Sequence, residues 1–201
     1  MTDEPRALDT DLLTEYAALL ASQGVPTDQW DRPGLTDAQL DEATAALGLD
    51  LPEEARVIWR WHDGIESSAG ANALGAVGEQ LLSIASAVAE AQEHRTLLTK
   101  ACREMGTEGD PRYHPGWLPL IGPEYPLVID CRVGRNDPSP VRIISWEDPN
   151  PPPVVARSIG EVFALWGDLI RMGAWLWNTD SADWEVDTDR LPADHPRSLM
   201  S

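Results

Sequence analysis

Leu8, Leu12, Tyr16, Leu19 and Leu20 recur at three- and four-residue spacings, which predicts an amphipathic helix that stops at Gly24 and Pro26. A turn-rich connector, Trp30-Asp31-Arg32-Pro33-Gly34, follows. Thr36 reads as an N-cap with Gln39 three residues on, a capping box, and Leu35 and Leu40 stand where a hydrophobic staple would close across it. Leu40, Ala43 and Leu47 form the buried face of this second helix, and Gly48 ends it. Pro52 fits the first turn of a third helix, where its missing N–H is no loss. Glu53 and Glu54 share that turn, where the helix dipole favours acids. Ala55, Ile58, Trp59 and His62 share its inner face, and Asp63-Gly64 ends it.

Residues 65–79 are rich in Gly, Ala and Ser and read as loop. Leu81 and Leu82 fit a short strand. Ser83 caps a long helix running to about Met105, with Ile84, Val88, Ala91, Leu98 and Cys102 inward. After a second loop over 106–116 the period shortens. Residues 117–121, 127–131 and 141–146 are β-rich runs bounded by Gly, Pro and Asn, the pattern of an antiparallel meander. A Pro-rich turn over 148–153 leads to a further short run at 154–156. Ser158 and Glu161 then form a second capping box ahead of an apolar stripe: Ile159, Val162, Phe163, Trp166, Leu169 and Ile170. From Asn178 the chain is acidic and Pro-punctuated and reads as a peripheral tail. Helices, then strands, then a helix predict one α+β domain: N-terminal helices, a central antiparallel sheet and a closing C-terminal helix.

Charge narrows what this domain does. The 201 residues hold 34 acids against 15 bases, a formal net charge of −19 and a pI near 4.3. A phosphate backbone needs basic groups to release its counterions, so nucleic-acid binding is excluded as an expectation. Recruitment to an anionic membrane surface is disfavoured for the same reason. A strongly negative field favours basic partners, although acid excess also serves solubility alone. The acids cluster: residues 1–55 hold 13 of them against Arg6 and Arg32, and residues 172–201 hold six against Arg190 and Arg197. Two cysteines, Cys102 and Cys131, make no disulfide framework. With no apolar run long enough to span a bilayer and no basic, apolar leader at residues 1–6, a cytoplasmic location is expected.

Several runs together resemble a known family. Leu35-Thr36, Leu40, Leu47-Gly48, Leu51-Pro52, Ile58-Trp59 and Trp61-His62-Asp63-Gly64 resemble the N-terminal signature of the SUKH superfamily. Leu81-Leu82-Ser83 resembles its step before a helix. Trp117-Leu118-Pro119-Leu120 with Leu127-Val128-Ile129-Asp130 resembles its central strand pair. Val155-Ala156-Arg157-Ser158 ahead of Phe163 and Trp166 resembles the entry to its closing helix. Where the family often has a Gly-Gly-Asp-type turn, this chain has Ile121-Gly122-Pro123-Glu124-Tyr125-Pro126. The resemblance spans residues 33–178, which leaves 1–32 as an N-terminal helical extension and 179–201 as an acidic C-terminal tail. It implies a non-catalytic binding module that takes no cofactor. The superfamily includes fungal cell-wall-assembly regulators and many bacterial immunity proteins, which bind and neutralise toxins. A basic toxin domain, a nuclease for example, is therefore the expected partner; a regulatory scaffold is the alternative, and a small hydrolase a weaker one.

The residues offer little catalytic chemistry. His62 and Asp63 are adjacent, and adjacent helical positions point about 100° apart, so a helix end explains them better than a catalytic pair. His62, His94, His114 and His195 are scattered, without a metal-ligand spacing. Cys102 and Cys131 fall on apolar positions and read as inert thiols. The glycines at 70, 75 and 78 lack the lysine of a phosphate-binding loop. Nine tryptophans are left to account for. Trp59, Trp117 and Trp166 fall on inward faces. Trp30, Trp61, Trp146, Trp175, Trp177 and Trp184 lie near element ends or acids, where an interface anchor and a core edge are equally good readings. The candidate interface is therefore three clusters: Trp61 with Asp63 and Glu66; Trp146 with Glu147 and Asp148; and Trp184 with Asp180, Asp183 and Glu185.

Overall fold

The computed structural model describes residues 4–30, 32–65, 74–75, 80–106, 110, 112–122, 126–148, 150–194 and 199. Capping chemistry sets where its helices begin. The Asp9 carboxylate accepts the Leu12 N–H and opens α1 (Thr10–Ser22). Thr36 and Gln39 form the full capping box of α2 (Asp37–Ala45). Ser83 accepts from the Ser86 N–H and starts α4 (Ile84–Met105), which Gly106 closes in the left-handed region at φ 69°. Pro52 stands one residue earlier than expected: it is the N-cap of α3 (Glu53–Trp61), whose last turn gives way to an extended His62. The second predicted box is only half formed. Ser158 accepts the Glu161 N–H at the start of α5 (Ile159–Arg171), but the Glu161 carboxylate takes the N–H and guanidinium of Arg157 instead of returning to Ser158.

The sheet is the predicted meander. β1 (Gln80–Leu81), β2 (Trp117–Gly122), β3 (Leu127–Asp130), β4 (Val141–Ile143) and β5 (Val154–Ala156) pair antiparallel in chain order. The β2–β3 register slips between Pro119 and Ile121, beside a proline that has no N–H to give the ladder. β4 is shorter than the run at 141–146: the Ile144 N–H turns to the Pro126 carbonyl, and residues 146–147 form a turn.

Side chains alternate across the strands, so the sheet feeds two hydrophobic groups. Leu118, Leu120, Leu127, Ile129 and Val141 join the main core with α1, α3 and α5. Trp117 and Val128 face the other way, with Tyr113, Ile144, Leu98 and Trp146. The α5 stripe is fully buried, and Tyr16 of α1 meets Phe163 edge-on with ring centres 5.2 Å apart. The N-terminal segment is part of this same core through Leu8, Leu12, Leu13, Tyr16 and Leu20.

The acidic tail contains more structure than its composition implies. β6 (Trp175–Asn178) and β7 (Asp183–Val186) form a hairpin with Trp177 opposite Trp184. Its inner face carries Trp175, Trp177, Trp184 and Val186, and successive Trp rings lie 5.4–6.1 Å apart from Trp166 outward. Leu199 is buried as well, and its carbonyl accepts the indole N–H of Trp166.

Candidate functional site

The first cluster sits where α3 hands over to α4. Trp61 is half-buried and packs edge-on against Trp30 at 5.3 Å and His62 at 4.6 Å. His62 Nδ1 donates to the Arg32 carbonyl at 2.9 Å, which ties the ring to the connector. Asp63 Oδ1 accepts the Ile84 N–H at 2.8 Å, beside the Ser83 cap. Gly64 has φ +83°, and a Cβ there would stand 2.6 Å from the Ser83 nitrogen. The Trp-His-Asp-Gly run is thus a junction holding the start of α4. His62 and Asp63 each bond a different backbone group. Glu66 lies outside the described residues.

The second cluster follows β4. The Trp146 ring lies 4.7 Å from that of His94 on α4, and its carbonyl accepts from Arg112. Burial pushes the His94 pKa below its ordinary value. Glu147 and Asp148 are exposed at the turn. Asp148 accepts the backbone and side-chain N–H groups of Asn150, which hold its carboxyl below the usual range. Under this turn the Arg142 guanidinium lies over the Trp117 ring at 5.1 Å.

The third cluster is the hairpin, and it corrects the choice of anchor. Trp184 is turned inward onto Trp175 and Trp177 and is only 8% exposed. Trp175 and Trp30 are likewise buried. The alternation that buries Trp184 presents Asp183 and Glu185 on the outer face, with Asp180 in the connecting turn. The apolar residue exposed among them is Leu176, opposite Glu185 and 46% exposed. The three clusters sit on different elements, each within its own aromatic group.

Two buried charges escaped the sequence reading. Arg56 is 1% exposed, and its guanidinium bonds Asp37, Asp41, Asp50 and the Leu51 carbonyl. Burial works against its charge, but the bonds to Asp41 and Asp37 outweigh that and raise its pKa. In return Arg56 holds the Asp37 carboxyl below the usual range. Glu54 is buried beside it in sequence and accepts four backbone N–H groups, those of Leu8, Ser139, Ile159 and Gly160. It therefore joins α3 to the entry of α1, the loop before β4 and the first turn of α5. Four spaced N–H partners are a sign visible only in three dimensions.

The Cys131 thiol is a poor nucleophile. Burial pushes Cys131 up to about 12, so it is protonated at neutral pH. Cys102 is also buried and free. Among the described residues, no group of three His, Cys, Asp or Glu side chains converges as a metal set, and no helix is long and apolar enough to cross a membrane.

No curated protein matches the chain. The model of the SMI1 / KNR4 family (SUKH-1) matches residues 34–165, from the glycine packed against the Arg60 backbone to the middle of α5. Such a match supports an immunity or regulatory role, exercised through protein–protein contact in general. By this match over more than half of its length, on an α+β fold with the family-like runs in order, the chain belongs to the SMI1/KNR4 family (SUKH-1).

Proposed function

We propose that this chain is an immunity-type protein that binds a toxin with a basic surface and neutralises it by occlusion, without catalysis and without a cofactor. The observation that carries the reading is the outer face of the β6–β7 hairpin. Asp180, Asp183 and Glu185 stand exposed there around Leu176, on a ribbon fixed from behind by a stack of tryptophans. A rigid acidic face steers a basic partner and selects it, because charge complementarity acts on the encounter rate. A central exposed leucine then gives the contact an apolar centre. Asp63 with Trp61, and Glu147 and Asp148 with Trp146, are secondary contacts in this reading. Two buried free thiols fit a reducing cytoplasm.

The test is co-expression with a basic toxin encoded beside this chain in its own genome. Restored growth is expected, together with a complex whose association slows as salt rises and as Asp180, Asp183 and Glu185 are changed to Lys. Failure to protect cells, or association indifferent to salt and to those changes, overturns the proposal. Envelope defects on deletion in a cell that carries no such toxin would favour the regulatory scaffold.

A further inference from the structure

β5 is the last strand of the sheet, so one of its edges pairs with β4 and the other has no strand beside it among the described residues; β5 and α5 together line a groove. That groove has a volume of about 560 Å³. Its helical wall is a single face of α5, Glu161, Ala164, Leu165 and Asp168, at spacings of three, one and three. Its opposite wall is β5 itself, where Val154 is 46% exposed although Val155 and Ala156 are buried. Leu165 and Leu199 supply an apolar floor. Glu54 and Ser158 hold the nearby end closed by fixing Leu8 and Arg6.

An edge strand beside a helix, with a channel of apolar floor and charged rim between them, is a geometry that accepts an added strand. Main-chain pairing supplies affinity, and side chains of alternate residues enter the channel. We infer that this groove takes an extended segment of a partner protein in which apolar and basic residues alternate. The charge of the rim sets the second half of that statement. Arg157 is already paired with Glu161, while Glu4, Asp168 and Asp194 stand around the mouth with Arg6 as their counterweight. Among the described residues Asp168 is bonded by Arg171 alone, three residues on, in an exposed pair that competes weakly with an incoming cation. The small Ala164 and Ala156 leave room for a branched apolar side chain from the guest. The inference rests on the proposed function for one point, that the natural partner is basic; the groove and the edge of β5, unpaired among the described residues, stand apart from it.

The probe is a fluorescein-labelled decapeptide of alternating Arg and Val, titrated into the full chain and followed by anisotropy. Three comparison peptides share its length: one with the same residues in two blocks, one alternating Glu and Val, and one alternating Arg and Val with every second amide N-methylated. The alternating Arg/Val peptide is expected to bind at least about tenfold more tightly than each of them. Val154→Lys and Asp168→Lys, both at exposed positions, are each expected to weaken it by about tenfold, with tryptophan fluorescence unchanged. Equal binding of the block or N-methylated peptide overturns the inference, as does undiminished binding to Val154→Lys. A dimer of the free chain that Val154→Lys dissociates also overturns it, because the edge is then covered by a second copy. If the neighbouring toxin is neutralised equally by Val154→Lys, the groove fails and the immunity reading stands. If the peptide binds as described but no basic toxin is neutralised, the reading fails and the groove stands.

Discussion

Replacing Glu54 by Gln keeps the shape of the side chain and should still cost the fold heavily. Oε1 accepts the N–H groups of Leu8 at 2.8 Å and Gly160 at 3.2 Å. Oε2 accepts those of Ser139 at 2.8 Å and Ile159 at 3.4 Å. Both oxygens are therefore acceptors of two donors each, and a glutamine must present its NH2 to one of these pairs. Whichever way it turns, a short bond becomes a meeting of donors in a buried site. A hydrogen bond to a charged group contributes about 1.5–3 kcal/mol, and a stranded buried donor costs about 1–3 kcal/mol. The expected loss for Glu54→Gln is about 2–4 kcal/mol, within a total stability of about 5–15 kcal/mol. Glu54→Ala should lose at least as much. Urea unfolding followed by tryptophan fluorescence measures it by linear extrapolation. A Gln variant within about 0.5 kcal/mol of the parent would refute the reasoning, since the carboxylate would then be dispensable as a double acceptor.

Arg56→Leu should cost about 2–3 kcal/mol in the same assay, because it strands the Leu51 carbonyl and leaves Asp37, Asp41 and Asp50 repelling one another. Acid should destabilise the fold. Arg112 holds Asp110 below its ordinary pKa; burial raises Asp130, but its bonds to Arg132 overcome that and lower it. The unfolded chain takes up these protons first, so their stabilisation is present above about pH 4 and is lost as pH falls through the folded values, which urea midpoints at stepped pH would follow. Cys131, with its pKa pushed to about 12, should resist a disulfide reagent at pH near 8 in the native protein and react once guanidinium unfolds it. Gly64→Ala should destabilise by more than about 1 kcal/mol, through its positive φ and the pressure of a Cβ on the Ser83 backbone.

What the sequence carried well was local. The Thr36 box, the Ser83 cap and the α5 stripe depend on residues within a few positions of one another, and each is found where its spacing puts it. The order of the meander follows from short runs joined by turn residues. The hairpin was hidden by its acids. Trp175, Trp177, Trp184 and Val186 alternate as a half-buried strand pair should, but the polar half of each strand reads as tail. The same alternation sets which hairpin side chains are exposed, since it turns Trp184 inward and leaves Leu176 outside. Glu54 was legible only as an acid in a first helical turn. Its partners stand 46, 85, 105 and 106 residues away, and no periodicity reports contacts of that range.

A sheet whose neighbours in space are its neighbours in sequence can be laid down as the chain is synthesised, each strand finding its predecessor already in place. The closing contacts obey a different clock. α5 must reach back to α1, and the Trp166 indole finds its acceptor at Leu199, 33 residues further along the chain. A chain made only as far as β5 therefore has its meander but not its lid. Resistance to proteolysis should arrive in one step once the stretch through Leu199 has emerged, and a product stalled before it should be cleared by the cell even though most of its strands are paired.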